Sequence, residues 1–426
     1  MNSRIADLPC MEHFKVSGGE LEVGGHSLAE LAGRAGGTPF FAYDRRMIDA
    51  RIAELRARLP AKLHLHYAVK ANPMPAVIRH MAARTDGLDV ASGGELRLAL
   101  EAGADPQAIS FAGPGKRDTE LAEAVRAGVT IHLESFGETE RARRLSESLG
   151  KAARVAVRIN PDFELKASGM RMGGGPKPFG VDAEQAPELL RRIGDYGLDF
   201  RGFQIFAGSQ NLQPEALTAA HDGIFTLIHR LAGDAPGPIR LLNIGGGFGI
   251  PYFPHDRPLD PGPVVENLAW WLDHLDPALS GARVVLELGR YLVGEAGIYA
   301  ASVIDRKVSR DHVYLVTDGG MHHHLAASGN LGQVIRKNYP VAIGNRMEER
   351  EEETVSVVGP LCTPLDILAD NIPLPRAEPG DLVVVFQSGA YGLSASPTGF
   401  LSHPPPAELW VSDPVMAYNR TDDTSA

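Results

Sequence analysis

Cysteine is almost missing from this chain: Cys10 and Cys362 are the only two in 426 residues. So few thiols exclude a disulfide framework and fit a reducing compartment. Positive charge is also short. Lys and Arg number 42 against 53 Asp and Glu, a net charge of −11, and no basic run offsets it, which argues against a nucleic-acid partner. No window approaches the ~18 uninterrupted apolar residues of a membrane span. The opening MNSRIADLPCMEHFK has no apolar core of signal-peptide length, so no membrane association is expected and the expected location is cytoplasmic. No short repeat of solenoid type is present. What remains is an ordinary globular composition, 44% hydrophobic and 22% charged, long enough for one large domain and a smaller one.

A strand-then-helix alternation runs from about residue 39 to 290. Strand-like runs fall at Pro39–Tyr43, Leu63–Val69, Leu88–Ala91, Ile109–Ala112, Thr130–Leu133, Arg154–Ile159, Phe200–Phe206, Arg240–Ile244 and Arg283–Glu287. Helical spacing appears between them, as in Gly94–Leu100 and in Ala216–Leu231, where Leu217, Ile224, Ile228 and Leu231 share a face. With the first run as an entry strand, eight strand–helix units are left. A (β/α)₈ TIM barrel and a doubly wound open sheet both give that alternation. Lys70, Asp89, Glu134, Arg158, Gly245–Gly247 and Glu287 all fall at or just past the C-terminal ends of strands. A barrel gathers such ends at one mouth and an open sheet spreads them along an edge, so the barrel is the expectation.

Beyond residue 300 the pattern changes to short β-rich runs at Ser302–Ile304, Val313–Thr317, Val355–Val358, Asp381–Phe386 and Glu408–Val411. Asp370–Gly380 and Ser402–Pro406 read as Pro-rich breaks, residues 345–352 as a solvated charge run, and Tyr418–Ala426 as a frayed tail. These features predict a C-terminal antiparallel β-domain over 299–426, completed by residues 1–37, with the α/β barrel at 38–298 inserted between them.

Four features carry chemistry. His64–Val69 delivers Lys70 to the end of an apolar strand, just before Asn72-Pro73. A buried lysine is costly unless it has a task, and one task is to be the neutral amine that joins a carbonyl cofactor as a Schiff base. The plain alternative is a lysine that reaches solvent. Gly245-Gly246-Gly247-Phe248-Gly249 follows the seventh strand, where barrels most often hold phosphate, and no Lys-Ser/Thr follows to make a nucleotide loop. Gly289-Arg290 adds backbone room and a cation after strand eight. Glu287, among apolar neighbours, needs a cationic partner. A protonated pyridine nitrogen would serve and would keep the ring an electron sink; Arg290 or Arg158 would serve in a purely structural network. Lysine, phosphate cradle and ring-facing acid together specify pyridoxal 5′-phosphate.

Tyr67–Asn72, Asp89–Glu95, Gly208-Ser209-Gln210, Gly245–Gly249, Glu287–Tyr291, Gly359–Cys362 and Ser388–Tyr391 resemble the fold-type III pyridoxal-phosphate decarboxylases, which include those of diaminopimelate, ornithine and arginine. The likeness runs from about residue 38 to 411. It implies a homodimer of alanine-racemase-like barrels with active sites shared between subunits. It further implies that Lys70 is the Schiff-base lysine, that Ser209, Gly245–Gly247 and Tyr391 bind phosphate, and that Glu287 faces the pyridine nitrogen. Asp89, Arg158, Phe206, Gly289 and Arg290 complete the expected cofactor contacts. Cys362 is implied to come from the partner subunit and reprotonate the α-carbon; its plain alternative is a buried small hydrophobe. Arg336 and Tyr339 lie where the family places substrate-carboxylate contacts, and Thr363 and Asp366 are read with them.

The departures are informative. Phe206 stands where the family has a ring-stacking histidine, and it can stack but cannot tune charge. Leu288 replaces a proline. Thr363 follows Cys362 where the family has an Asp or Glu that reads a distal ammonium, a charge-assisted contact of about 1.5–3 kcal/mol. That exchange puts free diamino acids in doubt. Phe206, Met172–Pro176, Gly208–Leu212, Asp318–His324, Gly359–Pro364 and Pro404–Pro406 resemble instead a subgroup. It comprises decarboxylases of a glutamyl group on an acyl-carrier protein, as in butirosin-type pathways, and exosortase-associated decarboxylases. Consecutive His322, His323 and His324 point in different directions in a strand or turn, and no metal is expected. The expected activity is α-decarboxylation of an L-amino acid or a carrier-bound derivative; diaminopimelate decarboxylation, racemisation and non-catalytic cofactor binding are the alternatives.

Overall fold

The computed structural model describes residues 11, 13–163, 170–171, 173–331, 333 and 336–418; Cys10, Met172 and the tail after Tyr418 lie outside them. The chain packs as two units, one of Glu54–Ile250 with Pro258–Gly289, the other of Met1–Ala53, Pro251–Arg257 and Arg290–Ala426.

Eight strands build the first unit: β1 (Leu63–Ala68), β2 (Gly87–Val90), β3 (Ile109–Phe111), β4 (Thr130–Leu133), β5 (Arg154–Asn160), β6 (Asp199–Ile205), β7 (Leu241–Asn243) and β8 (Arg283–Leu288). Every neighbouring pair is parallel, and β8 pairs with β1 to close the barrel. The strands are almost wholly buried, as a parallel sheet covered on its outer face requires. Helices follow the first seven, among them Gly93–Glu101 and Pro214–Leu231, whose Leu217, Ile224, Ile228 and Leu231 are all buried. After β8 the expected eighth helix is cut to four residues, Arg290–Val293.

Strand-to-helix turns follow from local chemistry. Ser92 and Ser135 accept the N–H of Glu95 and Glu138, and those carboxylates reach back to the N–H of Ala91 and Glu134, which satisfies donors that a helix start leaves open. β1 ends at Ala68, one residue earlier than the sequence suggests. Lys70 therefore sits in the tight turn Val69–Ala71, held below by Tyr67, whose hydroxyl donates to the Asn72 carbonyl at 3.0 Å.

In the second unit, strand Phe40–Asp44 lies beside β9 (Gly297–Ser309), and β9 pairs with β10 (His312–Thr317). β11 (Val341–Ile343), β12 (Glu352–Val358), β13 (Ile367–Pro375), β14 (Leu382–Val385) and β15 (Ala407–Val411) complete it. Leu21, Val23, Leu28 and Leu31 from the N-terminal segment share one buried cluster with Ile298, Val384 and Leu409, each such side chain contributing about 1.5–3 kcal/mol on burial. The sheet is mixed where an antiparallel one was expected. β10 pairs in parallel with β12, and Phe40–Asp44 with β15, because long connections free these pairs from hairpin geometry. Asp370–Gly380, read as a break, supplies most of β13. It is an edge strand, where Pro373 and Pro375 need donate nothing to a neighbour. Tyr418, read as frayed, ends a strand paired with β15.

Candidate active site

In the barrel unit the C-terminal strand ends bring Lys70, Asp89, Phe206 and Glu287 together. Lys70 Nζ lies 3.6 Å from Glu287 Oε1 and 5.2 Å from the centroid of the Phe206 ring. Glu287 is fixed from its other oxygen: Oε2 accepts Gln204 Nε2 at 3.0 Å and Asn243 Nδ2 at 3.3 Å. Burial opposes its charge, but the Lys70 ammonium, then His132 and Arg158, hold it below the ordinary carboxylate range. Asp89 behaves oppositely, pushed up by burial and by the neighbouring Glu287.

Arg158 does not join this group as an open cation. Its guanidinium donates to Glu134 Oε1 at 2.8 Å, and Glu134 also accepts the N–H of Gly113 and Gly180. The alternative pairing of Glu287 with Arg158 is therefore not formed.

The loop after β7 can be made only by glycine. Gly245 and Gly247 have φ of +68° and +88°, and a Cβ on Gly246 would fall on the Glu287 carbonyl. The Gly245 N–H donates to Asn243 Oδ1. Gly289 is packed so closely on Ala68 and Ala71 that a side chain there would press on the Lys70 turn. Ser209 ends the short strand Gly208-Ser209, which pairs antiparallel with Met170-Arg171.

Within the second unit, Arg290 donates to the Tyr252 hydroxyl at 2.6 Å and lies 4.6 Å over the Tyr391 ring. The Tyr252 and Tyr339 rings lie 4.6 Å apart, tilted by 40°, and burial pushes both phenols up, so both stay neutral. Tyr391 adopts φ +53°, a strained conformation that sites often carry. Cys362 is exposed, which overturns its reading as a buried hydrophobe. Thr363 Oγ1 accepts the Leu365 N–H. Asp366, read as a substrate contact, is buried, and its carboxylate accepts the N–H groups of Met321 and Leu361 at 2.6 and 2.8 Å, so the turn uses it. Arg336 donates to the Ile367 carbonyl. His322, His323 and His324 are buried, with His323 on the Pro404 carbonyl and His324 on the Ser388 hydroxyl. Among the described residues no group of three or more His, Cys, Asp or Glu could hold a metal.

A lysine beside an oriented carboxylate and a loop that admits only glycine fit pyridoxal phosphate. Residues 45–294 match the family model for the pyridoxal-binding domain of pyridoxal-dependent decarboxylases. The chain belongs to that family. It is 37% identical over 378 residues to the L-glutamyl-[BtrI acyl-carrier protein] decarboxylase of Niallia circulans, covering 87% of this chain and 88% of that one. It is 32% identical to the diaminopimelate decarboxylase of Aquifex aeolicus, over 93% and 91% of the two chains. The crystal structure of the Helicobacter pylori diaminopimelate decarboxylase complexed with L-lysine superposes with a TM-score of 0.80 at 26% identity, over 91% and 95%. This is therefore a pyridoxal-phosphate-dependent amino-acid decarboxylase of fold type III, and the racemase and non-catalytic alternatives fall.

The decarboxylase also uses residues that sequence reasoning passed over. Gln204 and Asn243 orient Glu287, and Tyr252 anchors Arg290. The available signal was polarity out of place: His66, His132, Gln204 and Asn243 each interrupt an apolar strand with a side chain that points into the barrel's buried network.

Proposed function

We propose that this decarboxylase removes the α-carboxylate of an amino acid with no distal ammonium, a glutamyl group presented on an acyl-carrier protein. Thr363 carries the proposal. The residue after Cys362 offers a hydroxyl engaged within its own turn, and the nearby Asp366 carboxylate is committed to Met321 and Leu361. A site built this way leaves a buried ammonium unpaired and rejects it. The carrier-bound substrate named for the Niallia circulans relative agrees with that exclusion.

Pyridoxal phosphate supplies the aldehyde and the electron-accepting ring. Lys70 provides the amine that holds it, and Glu287, oriented by Gln204 and Asn243, keeps a proton on the ring nitrogen. Gly245–Gly247, Ser209, Arg290 and Tyr391 hold the phosphate, with Gly289 leaving room. Phe206 and Asp89 would complete the cofactor contacts, and Arg158 would act through Glu134. Arg336 and Tyr339 meet the substrate carboxylate, and the partner's Cys362 delivers a proton to the α-carbon.

The active unit is read as a homodimer in the cytoplasm; among the described residues no helix is long and apolar enough to cross a membrane. The cofactor barrel spans 38–298, and residues 1–37 and 299–426 form the companion β-domain. A carbon-dioxide release screen tests the substrate. A glutamyl-carrier thioester should turn over at least ~10²-fold faster, in kcat/KM, than free diaminopimelate, ornithine or lysine; rapid release from free diaminopimelate would refute the argument from Thr363.

A further inference from the structure

His66 stands on β1 with its side chain 1% exposed, in register with Glu287 of β8 on one side and Gly87 of β2 on the other. Neither ring nitrogen makes an aligned hydrogen bond. A Cβ at Gly87 would come within 2.5 Å of ring atoms Cε1 and Nε2, so β2 opens with a glycine that makes room for the imidazole. Nδ1 lies 3.3 Å from Asp89 Oδ2. Asp89 Oδ1 accepts from Asn243 Nδ2 at 3.4 Å, and the same amide donates to Glu287 Oε2 at 3.3 Å. The Gly245 N–H on Asn243 Oδ1 fixes which way that amide faces. One amide thus bridges two buried carboxylates, which repel strongly when both are bare. His66 is in ion-pair contact with Asp89, and the Lys70 ammonium also acts on that carboxylate.

We propose that His66 is a positioning residue for charge: paired with Asp89, it offsets that carboxylate so that Glu287 stays the only net anion offered to the cofactor. The proposal rests on the reading of Glu287 as the acid facing the ring nitrogen. The groups that bear on the pair are Glu287 from β8, Lys70 from the turn after β1 and His64 from β1 itself, with His132 of β4 and Arg158 of β5 acting on Glu287. In the absence of His66 no base on β1 offsets the Asp89 carboxylate, which then counts as a second net anion wherever it is ionised. A second anion stabilises protonated forms of the bound cofactor and moves their titration upward.

The test is the visible absorbance of the cofactor-loaded protein against pH for H66F, H66Q, D89N and H66F/D89N. H66F should raise the absorbance midpoint by about one pH unit or more. H66Q keeps a donor beside Asp89 without an ionisable site; it should keep the wild-type melting temperature and still show the shift, so it stands in if H66F does not fold. In the D89N background, H66F should move the midpoint by less than about 0.3 unit. No shift in folded H66F or H66Q, or the same shift without Asp89, overturns the proposal. A wild-type protein with no cofactor band would instead bring down the reading of Lys70, and this proposal with it.

Discussion

Lys70 and Glu287 face each other across 3.6 Å in the barrel unit, and each determines what the other can do. The ammonium keeps the buried carboxylate charged; the carboxylate keeps the lysine at the place where an aldehyde must arrive. Lys70→Ala should therefore remove the visible absorbance band of the pyridoxal-phosphate-loaded protein, and persistence of that band would take Lys70 out of the chemistry. Glu287→Gln preserves shape and hydrogen-bonding capacity but not charge, so kcat should fall by about two orders of magnitude while cofactor is still bound; a loss of binding with kcat unchanged would assign Glu287 to structure. Cys362→Ser should slow turnover or alter product partition more than it weakens cofactor binding, with an unchanged rate returning the exposed thiol to a bystander. At this scale the sequence was legible where a residue's chemistry was unusual for its position: a lysine and a glutamate closing apolar strands, three glycines in a row. It was illegible where partners meet only through barrel closure. Gln204 and Asn243 reach Glu287 from strands 83 and 44 residues away, and no local pattern fixes that register.

Elements were legible because periodicity is local. The barrel strands begin and end within about two residues of the positions that alternation and turn residues suggest, and Ala216–Leu231 forms the helix its apolar stripe requires. β13 was missed because two prolines outweigh β-branched neighbours unless the strand is known to lie at an edge, a fact of topology rather than of sequence. Helix Pro214–Leu231 also carries a liability that a pH series exposes. His221 is buried, and burial pushes its imidazole down to about 4 from an ordinary 6.5. Between those values the unfolded chain binds a proton that the folded chain refuses, so stability falls as pH drops from 6.5 toward 4, by on the order of 3 kcal/mol for this group at the lower end. His132 of β4, also pushed down to about 4 by burial, adds to the same window. His221→Leu should flatten the dependence, recovering about 2 kcal/mol at pH 5 relative to its own value at pH 7.5. Urea unfolding at the two pH values measures this, and parallel curves for variant and wild type would show that His221 is not held neutral.

At the scale of the molecule, the alternation conveyed a barrel because eight repeats of one unit leave few topologies, whereas the β-unit had to be inferred from what the barrel left over. Its mixed pairing depends on which distant strands meet, as when Phe40–Asp44 lies parallel to β15. The same scale holds the strongest test of assembly. If each active site takes Lys70 from one subunit and Cys362 from the other, then Lys70→Ala and Cys362→Ala homodimers each carry two defective sites. In a mixed dimer both lesions fall on one site, which leaves the second intact. Random exchange makes half of the dimers mixed, with one intact site in two, so mixing equal amounts of the two inactive proteins should restore about one quarter of wild-type activity. Recovery should follow subunit exchange in time and coincide with a species of twice the 45.7 kDa chain mass. Mixtures that exchange subunits and stay inactive would place Lys70 and Cys362 in sites built from a single chain.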